Sequence, residues 1–211
     1  MRRLPVYLLL DTSGSMRGEP IASVNVGLQT MMSTLRRDPS ALETVHVCII
    51  TFDLDAKVVV PLTALELLVL PEITTPDSGP TMLGEALQAV CNMVDAEVVP
   101  SAPDQKGDWA PLLFVMTDGS PTDLQAFEEV VPVVKAKGFG NIIACAAGPK
   151  AKKDFLLQFT DNVVMLDTVD ATALSSFFKW VSTAVGAGSR SQGTAASAEL
   201  PPPPAEIQFV V

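Results

Sequence analysis

Apolar positions along the chain follow two alternating rhythms. "PVYLLLD" (Pro5 to Asp11) is a continuous apolar run, as expected of a strand covered on both faces. From Glu19 the period changes. Ile21, Val24, Leu28, Met32 and Leu35 recur at three- and four-residue steps, which predicts an amphipathic helix. "TVHVCIITFD" (Thr44 to Asp53) predicts a second strand and "AKVVVPL" (Ala56 to Leu62) a third. The turn-like "LDA" between them predicts a hairpin, so the third strand is expected at an antiparallel edge. The loop "PEITTPDSGPT" leads into a second helix with Leu83, Leu87, Val90 and Val94 on its buried face. After a polar loop, "PLLFVMTDG" (Pro111 to Gly119) predicts a further buried strand. A helix from about Asp123 to Lys137 follows, with a kink or break expected at Pro132. "NIIACAAG" reads as a strand, "KKDFLLQF" as a short helix, "NVVML" as the last strand, and "ATALSSFFKWVSTAV" (Ala171 to Val185) as the closing helix.

Strands and helices alternating at these lengths imply βαβ units. The expected fold is α/β, a doubly wound, Rossmann-like, mostly parallel sheet with one antiparallel edge strand and helices on both faces. A length of 211 residues suits one such domain and a tail. Composition shifts after Val185, dividing the chain into a domain, residues 1–186, and a Gly/Ser/Pro-rich tail, residues 187–211. The tail ends in a four-proline spacer and the apolar "AEIQFVV". This end is expected to add as a strand to an exposed sheet edge, its own chain's or another's.

The formal charge of −10, with positive residues clustered only in short pairs, argues against nucleic acid and anionic membrane surfaces. It favours a divalent cation or a basic partner patch. The apolar run before Asp11 is too short for a secretory signal and no run reaches transmembrane length, so the chain is expected in the cytosol. Cys48, Cys91 and Cys145 are far apart, odd in number and in apolar segments. They read as small buried hydrophobes rather than a disulfide framework or a zinc site.

In a doubly wound sheet, ligands bind beyond the carboxyl ends of the strands. Asp11, Ser13 and Ser15 follow the first strand, Thr81 opens the second helix in "GPTMLGEAL", and Asp118 stands at the tip of the central strand. Two carboxylates and three hydroxyls form a hard oxygen set without imidazole or thiolate. Such a set suits Mg²⁺, with Mn²⁺ or Ca²⁺ as alternatives. Alternation in "DTSGS" is expected to aim positions 11, 13 and 15 one way, with Gly14 supplying the bend. Asp53 and Asp77 read as solvated loop carboxylates, with a place near the metal edge as the alternative. Asp123 is expected as a helix N-cap. His46, the sole histidine, has no expected chemical role. Trp109 is either an exposed partner anchor or a lid on the end of the sheet. Phe177, Phe178 and Trp180 are expected in the core.

Asp11-Thr-Ser13-Gly-Ser15, Thr81 and Thr117-Asp118-Gly, in this order and spacing, resemble the metal-ion-dependent adhesion site of von Willebrand factor A domains. The resemblance spans residues 4 to about 185. It implies a ligand-binding module rather than a catalyst. In that family Mg²⁺ is held directly by the two serines, while the threonine and aspartates bind directly or through water. An acidic side chain of a protein partner completes the shell. "RRLPVYLLLDTSGSMRGEPI", "VNVGLQTM", "GPTMLGEAL" and "LLFVMTDGSPTD" are similar to the TerY-type tellurium-resistance members. That similarity implies a role in tellurite and chemical stress response beside kinase- or phosphatase-like partners. Many relatives carry Gly-Gly-Thr where this chain has Gly79-Pro80-Thr81, and the proline stiffens the loop.

Two rivals belong to other classes. An aspartyl-phosphate phosphatase needs Asp-x-Asp in the first loop, where this chain has Ser13, and a lysine on the same edge, of which none is near in sequence. A metal-insertion ATPase assembly also uses such domains; lacking a Walker A motif, this chain fits only its non-ATPase subunit.

Overall fold

The computed structural model describes residues 2–76, 79–190, 200–204 and 207–209. Their strands form one seven-stranded sheet in the order β3-β2-β1-β4-β5-β6-β7. These are β1 (Leu4–Asp11), β2 (Val45–Phe52), β3 (Ala56–Ala64), β4 (Leu112–Thr117), β5 (Asn141–Ala147), β6 (Val163–Leu166) and β7 (Gln208–Phe209). β1 pairs in parallel with both β2 and β4, and β4-β5-β6 continue in parallel. β3 is antiparallel to β2 at one edge, as the hairpin pattern predicts, and β7 is antiparallel to β6 at the other. The apolar chain end thus does add to an edge, that of its own sheet.

Helices cover both faces: α1 (Glu19–Leu35), α2 (Pro39–Thr44), α3 (Leu83–Glu97), α4 (Leu124–Ala136), α5 (Lys153–Leu156) and α6 (Ala171–Arg190). Alternation along β1 sorts the core into two layers. Leu4, Val6, Leu8 and Leu10 face α1 and α6, while Tyr7 and Leu9 face α3 and α4. Phe177, Phe178 and Trp180 are buried in the first layer, and all three cysteines are buried and free. Burial pushes the Cys48 thiol up to about 12, so it stays protonated.

Several expectations need amending. Pro132 does not break α4, which runs unbroken through it. Pro132 and Glu128, whose carbonyl loses its amide partner, are both exposed, so the unpaired carbonyl belongs to the solvent-facing side of the helix. α2 has no counterpart in the sequence reading; Asp38 caps it by accepting from the Ser40 and Ala41 amides. α6 continues past Val185 to Arg190. Its small residues there allow close approach: a methyl on Gly188 would lie 3.6 Å from Leu4 and 3.7 Å from Leu112. Trp109 serves as a lid at the end of the sheet where β1 and β4 begin. It packs on the first core layer, its amide donates to the Arg3 carbonyl at 2.8 Å, and the Arg2 guanidinium sits 4.1 Å above its ring. His46 is half-buried, with Nδ1 3.2 Å from the Thr44 carbonyl.

α3 and α4 touch through Gly84. A methyl there would lie 2.3 Å from the Phe127 backbone nitrogen, and backbone cannot rotate away. Gly84→Ala is therefore expected to destabilise the fold by about 1–3 kcal/mol, the usual range for overpacking. Chemical denaturation checks this, and an unchanged midpoint would refute the close approach.

Candidate metal centre

The strand order places a switch point between β1 and β4: from β1 the chain first builds leftward through β2, then returns to build rightward from β4. Crevices at such points, beyond the strand carboxyl ends, are where doubly wound sheets bind ligands. β1 ends at Asp11 and β4 at Thr117; Leu10 pairs with Met116, so the two tips stand level.

Asp11 is fully buried. Its Oδ1 accepts from the Ser13 amide at 2.8 Å and its Oδ2 from the Thr117 hydroxyl at 2.6 Å. Thr117 Oγ1 also accepts from the Gly119 amide at 3.2 Å, which fixes the hydroxyl. Ser13 Oγ lies 3.2 Å from Ser15 Oγ, and Ser15 Oγ donates to Asp118 Oδ1 at 2.7 Å. Four of the five expected ligands therefore meet in a hydrogen-bonded arc. Thr81, 7% exposed, closes the side beyond Gly119: a methyl on that glycine would lie 3.3 Å from Thr81 Oγ1. The Thr81 carbonyl accepts from the Thr122 amide at 2.9 Å, which ties the Thr81 loop to the Asp118 loop.

The serines converge by a route that alternation did not foresee. Gly14–Met16 is a single 3-10 turn, and the turn brings Ser13 and Ser15 together. Gly14 is not the left-handed residue; that is Gly18, with φ +86°, where the chain enters α1. The Gly79 carbonyl accepts from the Gly14 amide at 3.3 Å, joining the first loop to the segment before Thr81. That segment is anchored further back. Asn25 of α1 grips Ile73 with two bonds of 2.8 Å, Nδ2 to the carbonyl and the amide to Oδ1.

Asp53 is not solvated. It is 6% exposed, accepts from the Thr12 hydroxyl at 3.1 Å and the Leu54 amide at 2.6 Å, and lies 3.6 Å from Lys57 Nζ. The register could have located it, since Asp11 pairs with Phe52 and the next residue must reach the same edge. A lysine thus does come near this edge, although Lys57 pairs with Asp53 and not with Asp11 or Asp118. Asp77 lies outside the described residues. Asp123 precedes α4 without a side-chain bond to its own helix; its Oδ2 instead caps α3 by accepting from the Glu85 amide at 2.8 Å. Thr117, which holds Asp11, belongs to the site although it was not among the expected ligands. Its signal was a hydroxyl residue at the tip of a buried strand.

All donors in the arc are hard oxygens. Among the described residues neither Asp11 nor Asp118 has a cationic partner, and no cluster of three or more His, Cys, Asp or Glu side chains could hold an ion. Any cation here would rest on two carboxylates and the hydroxyls, a donor set that suits a small divalent ion keeping some of its waters. Desolvation raises the Asp11 carboxyl to about 6, against the lowering effect of its bonds from Ser13 and Thr117.

The profile of the von Willebrand factor type A domain matches residues 6–179. The chain belongs to that family. Among solved structures, the von Willebrand A fold here is similar to proximal thread matrix protein 1 from the mussel byssus. Identity is 16%, the TM-score 0.64, and the match covers 88% of this chain and 46% of that one. A form of that protein with a zinc-occupied MIDAS motif matches at 17% identity and TM-score 0.53, covering 86% and 46%. The open conformation of the pilus adhesin SpaC from Lactobacillus rhamnosus GG matches at 14% identity and TM-score 0.67, covering 88% and 30%. The chain thus spans less than half the length of these proteins. No curated protein matches it. Von Willebrand A domains are usually non-catalytic interaction modules, and among the described residues no helix is long and apolar enough to cross a membrane.

The raised Asp11 carboxyl has a signed consequence for the metal-free protein. With a folded value of about 6 against an ordinary 3.8, its contribution to stability is complete below the ordinary value and is lost as pH rises through the folded one. In EDTA, Asp11→Asn is expected to gain in melting temperature relative to the unaltered chain between about pH 4 and pH 7. Paired thermal melts across that range measure the gap, and a pH-independent gap would refute the burial argument.

Proposed function

We propose that this von Willebrand A domain is a metal-dependent protein-interaction module. Asp11, Ser13, Ser15, Thr81 and Asp118 hold a Mg²⁺ ion, with Mn²⁺ or Ca²⁺ as substitutes, and a partner's Asp or Glu completes its shell. The observation that carries this reading is the arc Asp11–Ser13–Ser15–Asp118: its two carboxylates and Ser13 are buried, Ser15 opens to solvent, and among the described residues neither carboxylate has a cationic partner. A fixed anionic pocket of this kind favours a cation that the protein itself does not supply. Hydroxyl ligands leave the ion's charge under-neutralised, which favours an incoming carboxylate. The absence of a second carboxylate at Ser13 removes the general acid that phosphoryl transfer would need.

The biological setting proposed is tellurite and chemical stress resistance in the cytosol, beside kinase- or phosphatase-like partners. Its support is the likeness of the segments around Asp11, Thr81 and Asp118 to TerY-type sequences.

Calorimetric titration with MgCl₂ is expected to show one site in the unaltered chain and at least tenfold weaker binding in Asp11→Ala and Ser13→Ala, with unchanged circular dichroism. Equal affinity in these variants would remove the ion from this arc. A pull-down is expected to retain its partner in Mg²⁺ and release it in EDTA or with Asp11→Ala. In cells lacking the protein, the unaltered chain but not Asp11→Ala is expected to restore growth on tellurite; rescue by both would separate the stress role from the ion.

A further inference from the structure

The last described residues grip one side chain from two directions. Trp180, in α6, is 4% exposed and donates its indole N–H to the Pro201 carbonyl at 3.0 Å. Phe209 meets the same ring edge-on, with centroids 5.5 Å apart and planes at 77°. Between these contacts the Ile207 amide donates to the Pro204 carbonyl at 3.0 Å. Ile207, 4% exposed, enters the core layer of α1 and α6. Gln208 and Phe209 then pair with Met165 and Val164 of β6. Proline-run docking on an aromatic surface and strand addition to a sheet edge are two general modes of peptide recognition. Here both act on one segment.

The groove is built for such an occupant. β6 carries neither proline nor lysine, the residues that blunt an exposed edge, whereas the opposite edge strand, β3, has both Lys57 and Pro61. Without the segment, the β6 edge and the Trp180 N–H would lose their partners together. None of these contacts depends on which molecule supplies the segment. In sequence, residues 191–199 separate Arg190 from Leu200. The helix from Trp180 to Arg190 is about 15 Å long, and nine residues, if fully extended, reach about 30 Å, so a connection of this length is sufficient for closure within one chain.

We propose that the groove between the β6 edge and Trp180 is a strand-exchange site whose occupant in trans is the Leu200–Phe209 segment of a second copy of this chain. Exchange preserves every contact, so the connection alone decides between the forms. A connection with length to spare gives an effective concentration near the millimolar range and keeps the dilute protein monomeric. A connection too short to reach back forces reciprocal exchange.

The first test deletes residues 192–198 from the full chain. The remaining connection reaches roughly 10 Å, short of the helix length it must retrace. Light scattering at micromolar concentration is expected to show a dimer, and a monomer would overturn the proposal. Adding Ile207→Ser and Phe209→Ser to the deletion is expected to return the monomer; a dimer that survives them uses another interface and also overturns it. In the second test, the full-length chain carrying only Ile207→Ser and Phe209→Ser receives a labelled peptide of residues 199–211. Fluorescence anisotropy is expected to show binding at least tenfold tighter than to the unaltered chain, and weaker again when Trp180→Phe is added. A variant with unchanged circular dichroism that fails to bind the peptide would overturn the proposal independently of the metal centre.

Discussion

A carboxylate held out of water at the meeting point of two strands governs the organisation of this end of the molecule. Asp11 has no cationic partner among the described residues, so its stability rests on the Ser13 amide and the Thr117 hydroxyl. Each of these is itself placed by something else. The 3-10 turn at Gly14–Met16 follows directly from Ser13, and the Gly119 amide orients Thr117. Shifting either group while Asp11 stays buried would leave the carboxylate without a donor, so the two contacts constrain the loops that carry them. In this chain the constraint falls where the sheet changes direction, between β1 and β4, at the crevice that the fold provides.

The two core layers divide the remaining work. The layer of α1 and α6 is aromatic near the chain end, with Phe178, Phe177, Trp180 and Phe209 linked ring to ring in that order. It secures the edge farthest from β3. The layer of α3 and α4 lies against Tyr7 and Leu9 of β1, directly beneath the loops that carry Thr81 and Asp118. At the opposite end of the sheet, Arg3 bridges Asp108 with bonds of 2.9 and 2.5 Å and also reaches the Glu97 carbonyl. The first residues of the chain are therefore fastened well away from the candidate metal centre.

Much of this was legible in residue order. The run Pro5 to Asp11 marked a strand buried on both faces because its apolar stretch is unbroken, and the short "LDA" marked the hairpin that makes β3 antiparallel. Asp11, Ser13, Ser15 and Asp118 were found together because chemistry at strand tips converges on one edge of a doubly wound sheet. What escaped detection was set by longer-range geometry or by brevity. α2 is too short to show a period. The depth of Asp53 follows from strand register, which no local pattern encodes. The capping of α3 by Asp123 depends on helix placement, and a lone aspartate before a helix suggests only its own N-cap. The helical path through Gly186 and Gly188 was hidden because small residues suggest a linker, although here Gly188 lets α6 lie against Leu4 and Leu112.

The near-contact of Gly84 with the Phe127 backbone has a mechanical meaning. The same helix start is tied to Asp123 through the Glu85 amide, and the Thr81 carbonyl to the Thr122 amide. Three links within a few residues join α3 and α4 at their first turns. The loops bearing Thr81 and Asp118 consequently cannot be displaced independently. They share one stiff coupling, and a load applied to either is carried into both helices at once.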